Sequence, residues 1–72
     1  MNFGNAIEYL KMGDKLTRDG WNGKGMFLFL VPGTQNGPVA CRPHISMSTV
    51  DGDTVPWTAS QTDVLAEDWY AV

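Results

Sequence analysis

The run Met26-Phe27-Leu28-Phe29-Leu30-Val31 (MFLFLV, residues 26–31) decides the fold, because it is the longest apolar run in the chain and Pro32-Gly33 ends it at once. A strand with one face in water alternates apolar and polar residues, whereas both faces of this one are apolar. The run therefore predicts a strand that either lies in mid-sheet, covered on both sides, or meets another subunit on one face. A chain of 72 residues has little material to cover two faces, which favours the subunit interface.

A helix is predicted on the N-terminal side of this strand. Apolar residues recur there at the i, i+3, i+4 and i+7 positions typical of an amphipathic helix: Phe3, Ala6, Ile7 and Leu10. Asn2 is a suitable N-cap and Gly13 a suitable C-terminal stop, so we expect the helix over residues 3–12. Residues 15–18 (KLTR) predict a short strand that ends at Asp19-Gly20.

The C-terminal half of the chain predicts a hairpin. Residues 44–50 (HISMSTV) alternate in the manner of a half-buried strand. Asp51-Gly52 is a hairpin-turn signal, and residues 54–55 begin the return strand. Pro56 indicates that this strand lies at the sheet edge or ends there. Residues 33–43 are rich in turn-forming residues and predict a loop.

A second, short helix is predicted after the hairpin. Ser60 followed by Asp63 resembles a capping box in which Asp replaces the usual Glu, and it opens a helix over residues 61–66. Residues 69–72 then form a final strand. The predicted fold class is α+β, with an N-terminal helix, a small and mostly antiparallel sheet and a second short helix in one domain, residues 1–72.

The size of the chain favours self-association. A domain this short has a thin margin of stability, for which disulfides, a metal or oligomerisation usually compensate. Cys41 is the only cysteine, so no disulfide can form within one chain. Cys41 and His44 are the only soft ligands, which argues against a structural zinc site. We therefore expect a homo-oligomer with no metal and no cofactor.

The charge of the chain excludes duplex DNA as a partner. The net charge is −3, and residues 37–72 carry one basic and five acidic side chains. Duplex binding needs many Lys or Arg contacts to phosphate, whereas a small anion needs only local positive charge. The N-terminus lacks the order of a secretory signal and the apolar run is too short to cross a bilayer. A soluble cytoplasmic protein without membrane contact is expected.

Enzymatic signatures are weak in this sequence. His44 is the only histidine, and a nucleophile triad would need it beside Ser or Cys and an acid, yet no G-x-S-x-G context is present. Cys41 is interpreted as an incidental thiol. Asp51 and Asp53 belong to a turn signature rather than a metal pair. We predict that the protein is not an enzyme.

The aromatic residues carry the binding hypothesis. Core packing accounts for Phe3, Phe29 and Trp69, but Trp21 and Trp57 stand in turn-like segments beside small or polar residues. The glycine density of residues 20–25 (GWNGKG) also indicates a backbone that turns tightly or admits a close approach. A large flat ring on such a loop suits stacking against a planar ligand such as a purine.

Groups that a nucleotide requires lie near these two tryptophans in the sequence. Asn22 and Gln61 can read a base edge with their amides, and Arg18 and Lys24 can pair with phosphate. The glycine-rich loop and the helix start at Ser60 offer further donors for an anion. Asp63 can accept ribose hydroxyls, although N-capping explains it equally well.

Two long strings in this chain resemble a known family. GWNGKGMFLFLVPG (residues 20–33) and DGDTVPWTASQTDVLAEDWYAV (residues 51–72), together with the opening helix, are similar to the second Thoeris anti-defence family of small phage proteins. The resemblance covers nearly the whole chain except the loop at about residues 34–43. Arg42 and His44 stand beside that departure, so the preferred ligand could differ if the loop lines a pocket.

The resemblance implies a specific activity in the host bacterial cytoplasm. Family members act as molecular sponges that bind glycocyclic ADP-ribose, the signal made by the TIR-domain enzyme of the Thoeris system, without cleaving it. The effector of the defence system is then not activated. Members assemble as homotetramers with ligand pockets between subunits, and some also take up cyclic dinucleotides.

The resemblance also implies where the ligand binds. In the first motif the expected ligand-binding residues are Trp21, Asn22, Lys24 and Phe27, and in the second they are Trp57, Ser60, Gln61 and Asp63; Arg18 is added for its charge. Two alternatives remain open. One is an enzyme that hydrolyses the signal, and the other is a module that binds a host protein directly through its aromatic surface.

Overall fold

The computed structural model of this protein describes residues 1–21, 25–34, 38 and 40–72. Two helices and five strands follow one another along the chain: α1 (Phe3–Lys11), β1 (Leu16–Arg18), β2 (Phe27–Val31), β3 (His44–Ser48), β4 (Thr54–Pro56), α2 (Gln61–Leu65) and β5 (Trp69–Ala71). The strands form one sheet in the order β4-β3-β2-β1-β5, and every neighbouring pair is antiparallel. The predicted α+β class is confirmed.

Helix α1 begins directly after its predicted N-cap, and the predicted glycine follows its C-terminal end. The Asn2 side chain accepts a hydrogen bond from the backbone N–H of Asn5 at 2.8 Å, which satisfies one of the donors left free at a helix start. Gly13, just beyond the helix, has a φ of 96°, a conformation that glycine adopts without steric penalty. The helix itself ends at Lys11, one residue earlier than expected.

The hydrophobic core lies between α1 and one face of the sheet, which we call the helix face. Ala6 and Leu10 project from α1 onto the sheet, and all the core side chains are at most 1% exposed: Ala6, Leu10, Leu16, Leu28 and Trp69. Because strand residues alternate between faces, Phe27, Phe29 and Val31 of β2 point to the opposite side, the open face. In the described part of the chain, neither helix packs on the open face.

Strand β2 lies at the centre of the sheet, but it is not covered on both sides by the described residues, as the first of the two interpretations of its apolar sequence required. It pairs with β3 from Phe27↔Ser48 to Val31↔His44, and with β1 through Leu16↔Leu28. Only its helix face is covered by α1. The apolar character of the other face is therefore not explained by packing within the described residues of one chain.

The hairpin between β3 and β4 also follows the sequence. Gly52 has a φ of 89°, and its N–H donates to the carbonyl of Thr49 at 3.0 Å. Strand β4 is an edge strand that ends at Pro56. Proline has no backbone N–H to donate, and at the edge of the sheet this donor is not needed for pairing with a further strand.

Element ends are where the sequence predictions were wrong. Strand β3 stops at Ser48 rather than at residue 50, α2 at Leu65 rather than 66, and β5 at Ala71 rather than 72. In the described residues of the predicted loop 33–43, Thr34 and Cys41 form a β-bridge whose two N···O distances are both 2.8 Å. In the described chain, no helix has the length and apolar character needed to span a bilayer.

Candidate ligand-binding site

A cavity of about 560 Å³ lies beside β1 and the edge strand β5. The segment after β1 and the start of β2 also border it. We call it the Trp21 cavity. Its size falls within the range of about 300–1,000 Å³ that is usual for small-molecule sites. Its described lining includes three aromatic rings and three charged side chains: Trp21, Phe27, Tyr70, Lys15, Arg18 and Asp19.

The Trp21 indole is held in one orientation by two interactions. Its Nε1–H donates to Oδ1 of Asp63 at 3.0 Å. Its ring meets that of Trp69 edge-on, with centroids 5.3 Å apart and planes at 79°, an arrangement that the aromatic quadrupoles favour. Since Trp21 is only half-buried, part of a fixed ring borders the cavity.

Arg18 is committed to two carboxylates of the same chain. Its Nη1 donates to Asp63 Oδ1 and its Nε to Asp68 Oδ1, both at 2.7 Å, and the Arg18 side chain is 14% exposed. Hydrogen bonds from Arg18, first to Asp68 and second to Asp63, raise the pKa of its guanidinium above its ordinary value. The sequence suggested that Arg18 pairs with phosphate, and the structure gives it two carboxylate partners whose negative charge any phosphate would have to compete with.

Asp63 occupies the centre of this network rather than an open ligand position. Besides Arg18 and Trp21, its carboxylate accepts a hydrogen bond from the Ser60 hydroxyl at 2.9 Å, and its carbonyl accepts from Trp69 Nε1 at 3.0 Å. Burial acts to raise the pKa of Asp63, but the hydrogen bonds from Trp21, Arg18 and Ser60 outweigh it and lower the pKa below 3.8. The Asp63 carboxylate, predicted to accept ribose hydroxyls, thus already accepts three hydrogen bonds from its own chain.

Asp68 anchors the start of the glycine-rich segment. Its Oδ2 accepts the backbone N–H of Gly20 at 2.8 Å, and the hydrogen bond from Arg18 is the main reason why its pKa is lowered. A Cβ at Gly20 would lie 2.9 Å from that oxygen, so a side chain at this position would push the Asp68 carboxylate away from its present place. Asp63 and Asp68 together fix both the loop backbone and the Trp21 ring.

Trp57 lies elsewhere. It borders a second cavity of about 440 Å³ between α1 and β3, together with Phe3, Ile45 and His44. Its ring packs against Phe3 and, edge-on at 6.1 Å, against Trp69. Trp21 and Trp57 therefore border different cavities of the described chain. The Trp69 ring packs against both of them.

The remaining predicted site residues are distributed unevenly. Phe27 lines the Trp21 cavity, and Ser60 caps α2 by accepting the N–H of Asp63 at 3.1 Å. Gln61 is exposed on α2 and borders neither cavity. Asn22 and Lys24 lie outside the described residues.

Sequence reasoning missed Lys15 and Tyr70 as members of the cavity. Thr17 pairs with Tyr70, and Lys15 precedes Thr17 by two residues, so strand alternation places these three on the open face. That signal was present in the predicted strand 15–18, but nothing in the sequence showed that β5 is its neighbour.

The two residues considered for nucleophilic catalysis do not border the Trp21 cavity. His44 lines the second cavity, where its Nδ1 lies 3.0 Å from the carbonyl of Arg42, and Cys41 is an exposed thiol. Within the described ranges, no group of three or more His, Cys, Asp or Glu side chains is placed to hold a metal ion.

The fold and the cavity define a small α+β protein with an aromatic site at one edge of an antiparallel sheet. Comparison with known proteins then gives the family: the model of the Thoeris anti-defense 2-like domain matches residues 1–72, and the chain belongs to this family. A relative, Thoeris anti-defense 2 of Bacillus phage SP01, is 44% identical over an alignment of 81 positions that covers 96% of this chain and 91% of the relative. The resemblance noted in the sequence is confirmed, and with it a phage anti-defence function directed at the Thoeris pathway.

Proposed function

We propose that this protein binds a cyclic nucleotide immune signal, glycocyclic ADP-ribose in the first place, and holds it without cleaving it. Sequestration would keep the signal from the defence effector in the host cytoplasm. The observation that carries the proposal is the Trp21 cavity, in which a fixed indole borders a space of about 560 Å³ together with Phe27, Tyr70 and a lysine. Cyclic dinucleotides, which share the purine and phosphate groups, are the second ligand class.

The energetics show that tight capture requires several contacts, more than one stacked base and one hydrogen bond to a charged group. Nanomolar binding corresponds to about −12 kcal/mol. Stacking contributes about 1–3 kcal/mol per base, and each hydrogen bond to a charged group about 1.5–3 kcal/mol. A cyclic ligand loses little internal freedom on binding, and the Trp21 ring is already held by Asp63, so the ordering cost is low on both sides.

Two observations favour storage over turnover. The carboxylates of Asp63 and Asp68 are occupied by Arg18, and hydrogen bonding lowers the pKa of each, which makes them poor proton acceptors. His44 faces the other cavity. A hydrolase would need a base near the Trp21 cavity, and among the described lining residues Asp19 has the one carboxylate side chain.

We further propose that the active form is a homotetramer joined in part through the open face. Phe27, Phe29 and Val31 form an apolar row at the centre of that face, and α1 and α2 leave it uncovered. Phe27 belongs both to this row and to the Trp21 cavity. A second chain on the open face would therefore stand beside the ligand, which supports a pocket completed between subunits.

Isothermal titration tests the proposal directly. Purified protein is titrated with glycocyclic ADP-ribose, with a cyclic dinucleotide and with linear ADP-ribose as the matched open form. We expect sub-micromolar binding of a cyclic ligand and weaker binding of the linear one. A module that binds a host protein instead would give no heat of binding with any of the three nucleotides, and that result would reject the proposal.

A further inference from the structure

The charges that line the Trp21 cavity are not equivalent. Arg18 is compensated by Asp63 and Asp68, each within 2.7 Å of one of its nitrogen atoms. The ion pairs of the described residues join Arg18 to these two acids and Lys11 to Glu8, and none includes Lys15. Asp19 also lines the cavity, but no ion pair within 4.0 Å joins it to Lys15.

Lys15 is instead held over an aromatic ring. Its Nζ lies 5.0 Å from the centroid of the Phe27 ring, within the distance at which a cation is attracted to a ring face. Its backbone is fixed as well, because the N–H of Val72 donates to the Lys15 carbonyl at 2.9 Å. The ammonium group is thus positioned at the cavity while its hydrogen-bonding capacity is not taken up by a carboxylate of the described chain.

We propose that Lys15 binds a phosphate group of the ligand in the Trp21 cavity, on the aromatic surface of Phe27. The inference rests on the proposed function and reassigns its anion contact from Arg18 to Lys15. A phosphate reaching Arg18 must compete with two carboxylates, whereas one reaching Lys15 gains a charge-assisted hydrogen bond without breaking an ion pair. The ligand class is a purine nucleotide with a phosphodiester or pyrophosphate, its base on the Trp21 side.

The charge inventory makes the contribution of Lys15 large. Arg18 together with Asp63 and Asp68 has a net charge of −1, and the described lining adds one acid, Asp19, and one base, Lys15. Removing the Lys15 ammonium changes the net charge of these groups from −1 to −2, which opposes an anion more strongly. Loss of a hydrogen bond to a charged group then predicts a reduction in affinity of about 10- to 100-fold.

The test compares three variants by titration with a cyclic nucleotide that the wild type binds. Lys15→Met keeps an apolar stem over Phe27 but removes the charge, and Lys15→Arg keeps the charge. Lys11→Met removes another exposed lysine from α1, where Lys11 Nζ lies 3.7 Å from Glu8 and outside the Trp21 cavity. Circular dichroism and light scattering check that all variants keep the fold and the assembly of the wild type.

We expect Lys15→Met to bind about 10- to 100-fold more weakly, and Lys15→Arg and Lys11→Met to bind within about threefold of the wild type. Because salt screens the attraction between ammonium and phosphate, the affinity of the wild type should also fall more steeply between about 0.05 and 0.3 M salt than that of Lys15→Met. Equal affinity of Lys15→Met and the wild type would overturn the role of Lys15 and leave the proposed function standing. A wild type that binds no cyclic nucleotide would overturn the proposed function itself, and the inference with it.

Discussion

Nη1 of Arg18 lies 2.7 Å from Oδ1 of Asp63, and both side chains are only 14% exposed. This pair joins β1 to α2 across 45 residues of sequence. The same Asp63 oxygen accepts the Trp21 indole N–H, so one carboxylate connects the stability of the fold to the orientation of the proposed ligand-binding ring.

Arg18→Met should destabilise the protein by about 2 kcal/mol, between the values for exposed and for fully buried ion pairs. A domain of 72 residues has a total free energy of unfolding of about 4–11 kcal/mol, so the loss is a large fraction of it. Urea denaturation measures the difference. Lys11→Met, which removes an exposed pair with Glu8, is the control and should change stability by less than about 0.5 kcal/mol. Equal stability of the two variants would contradict the role given to Arg18.

Stability should fall in acid because the folded protein lowers the pKa of Asp63 and Asp68 below 3.8. A carboxylate with a depressed folded-state pKa stabilises the fold fully above its unfolded pKa, and this contribution disappears as the pH falls through the folded value. The melting temperature should therefore decline as the pH passes below about 5 and continue to fall below 3.8. Asp63→Asn should start lower at pH 7 and decline less steeply. A melting temperature of the wild type that is flat down to pH 3 would contradict the network.

The two tryptophans proposed for stacking should behave differently when truncated. Trp21→Ala removes a ring that borders the cavity and should weaken binding of a cyclic nucleotide by at least about tenfold, the loss of one stacked base. Trp57→Ala removes a ring that packs between Phe3 and Trp69, so its main effect should be a lower melting temperature. Titration and thermal unfolding of both variants separate the two roles. Strong loss of binding by a stably folded Trp57→Ala would show that the second cavity, and not the first, holds the ligand.

Phe29→Asp should disrupt self-association through the open face. Phe29 lies at the centre of β2, opposite Ser46, and a charge there would be desolvated by a second chain. Size-exclusion chromatography with light scattering should give a tetramer for the wild type and smaller species for the variant, with circular dichroism confirming the fold. Leu65→Asp is the control, since Leu65 is 77% exposed on α2 and away from that face. A monomeric wild type would reject the assembly.

Local signals in the sequence predicted most of the fold. The Asn2 cap, the Asp51-Gly52 turn, the edge position of Pro56 and the Ser60 cap all depend on neighbours within a few residues, and each is present in the structure. Strand and helix ends were less accurate, because they are set by where tertiary pairing stops rather than by composition.

The site was harder to predict because its contacts are distant in sequence. Nothing local to Arg18 indicates that Asp63 and Asp68 will neutralise it, since that depends on β5 pairing beside β1. The same pairing brings Tyr70 to the cavity beside Lys15. The separation of Trp21 from Trp57 arises in the same way, because Trp69 lies between them in space and follows both in sequence.

Mass spectrometry of the small molecules released from the heat-denatured protein tests capture without cleavage most directly. The purified protein is first incubated with lysate of cells in which the Thoeris signal has been produced, then washed and denatured. Recovery of intact glycocyclic ADP-ribose, or of an intact cyclic dinucleotide, in stoichiometric amount is the predicted result. Recovery of a linear or hydrolysed product, or of no nucleotide at all, would contradict it.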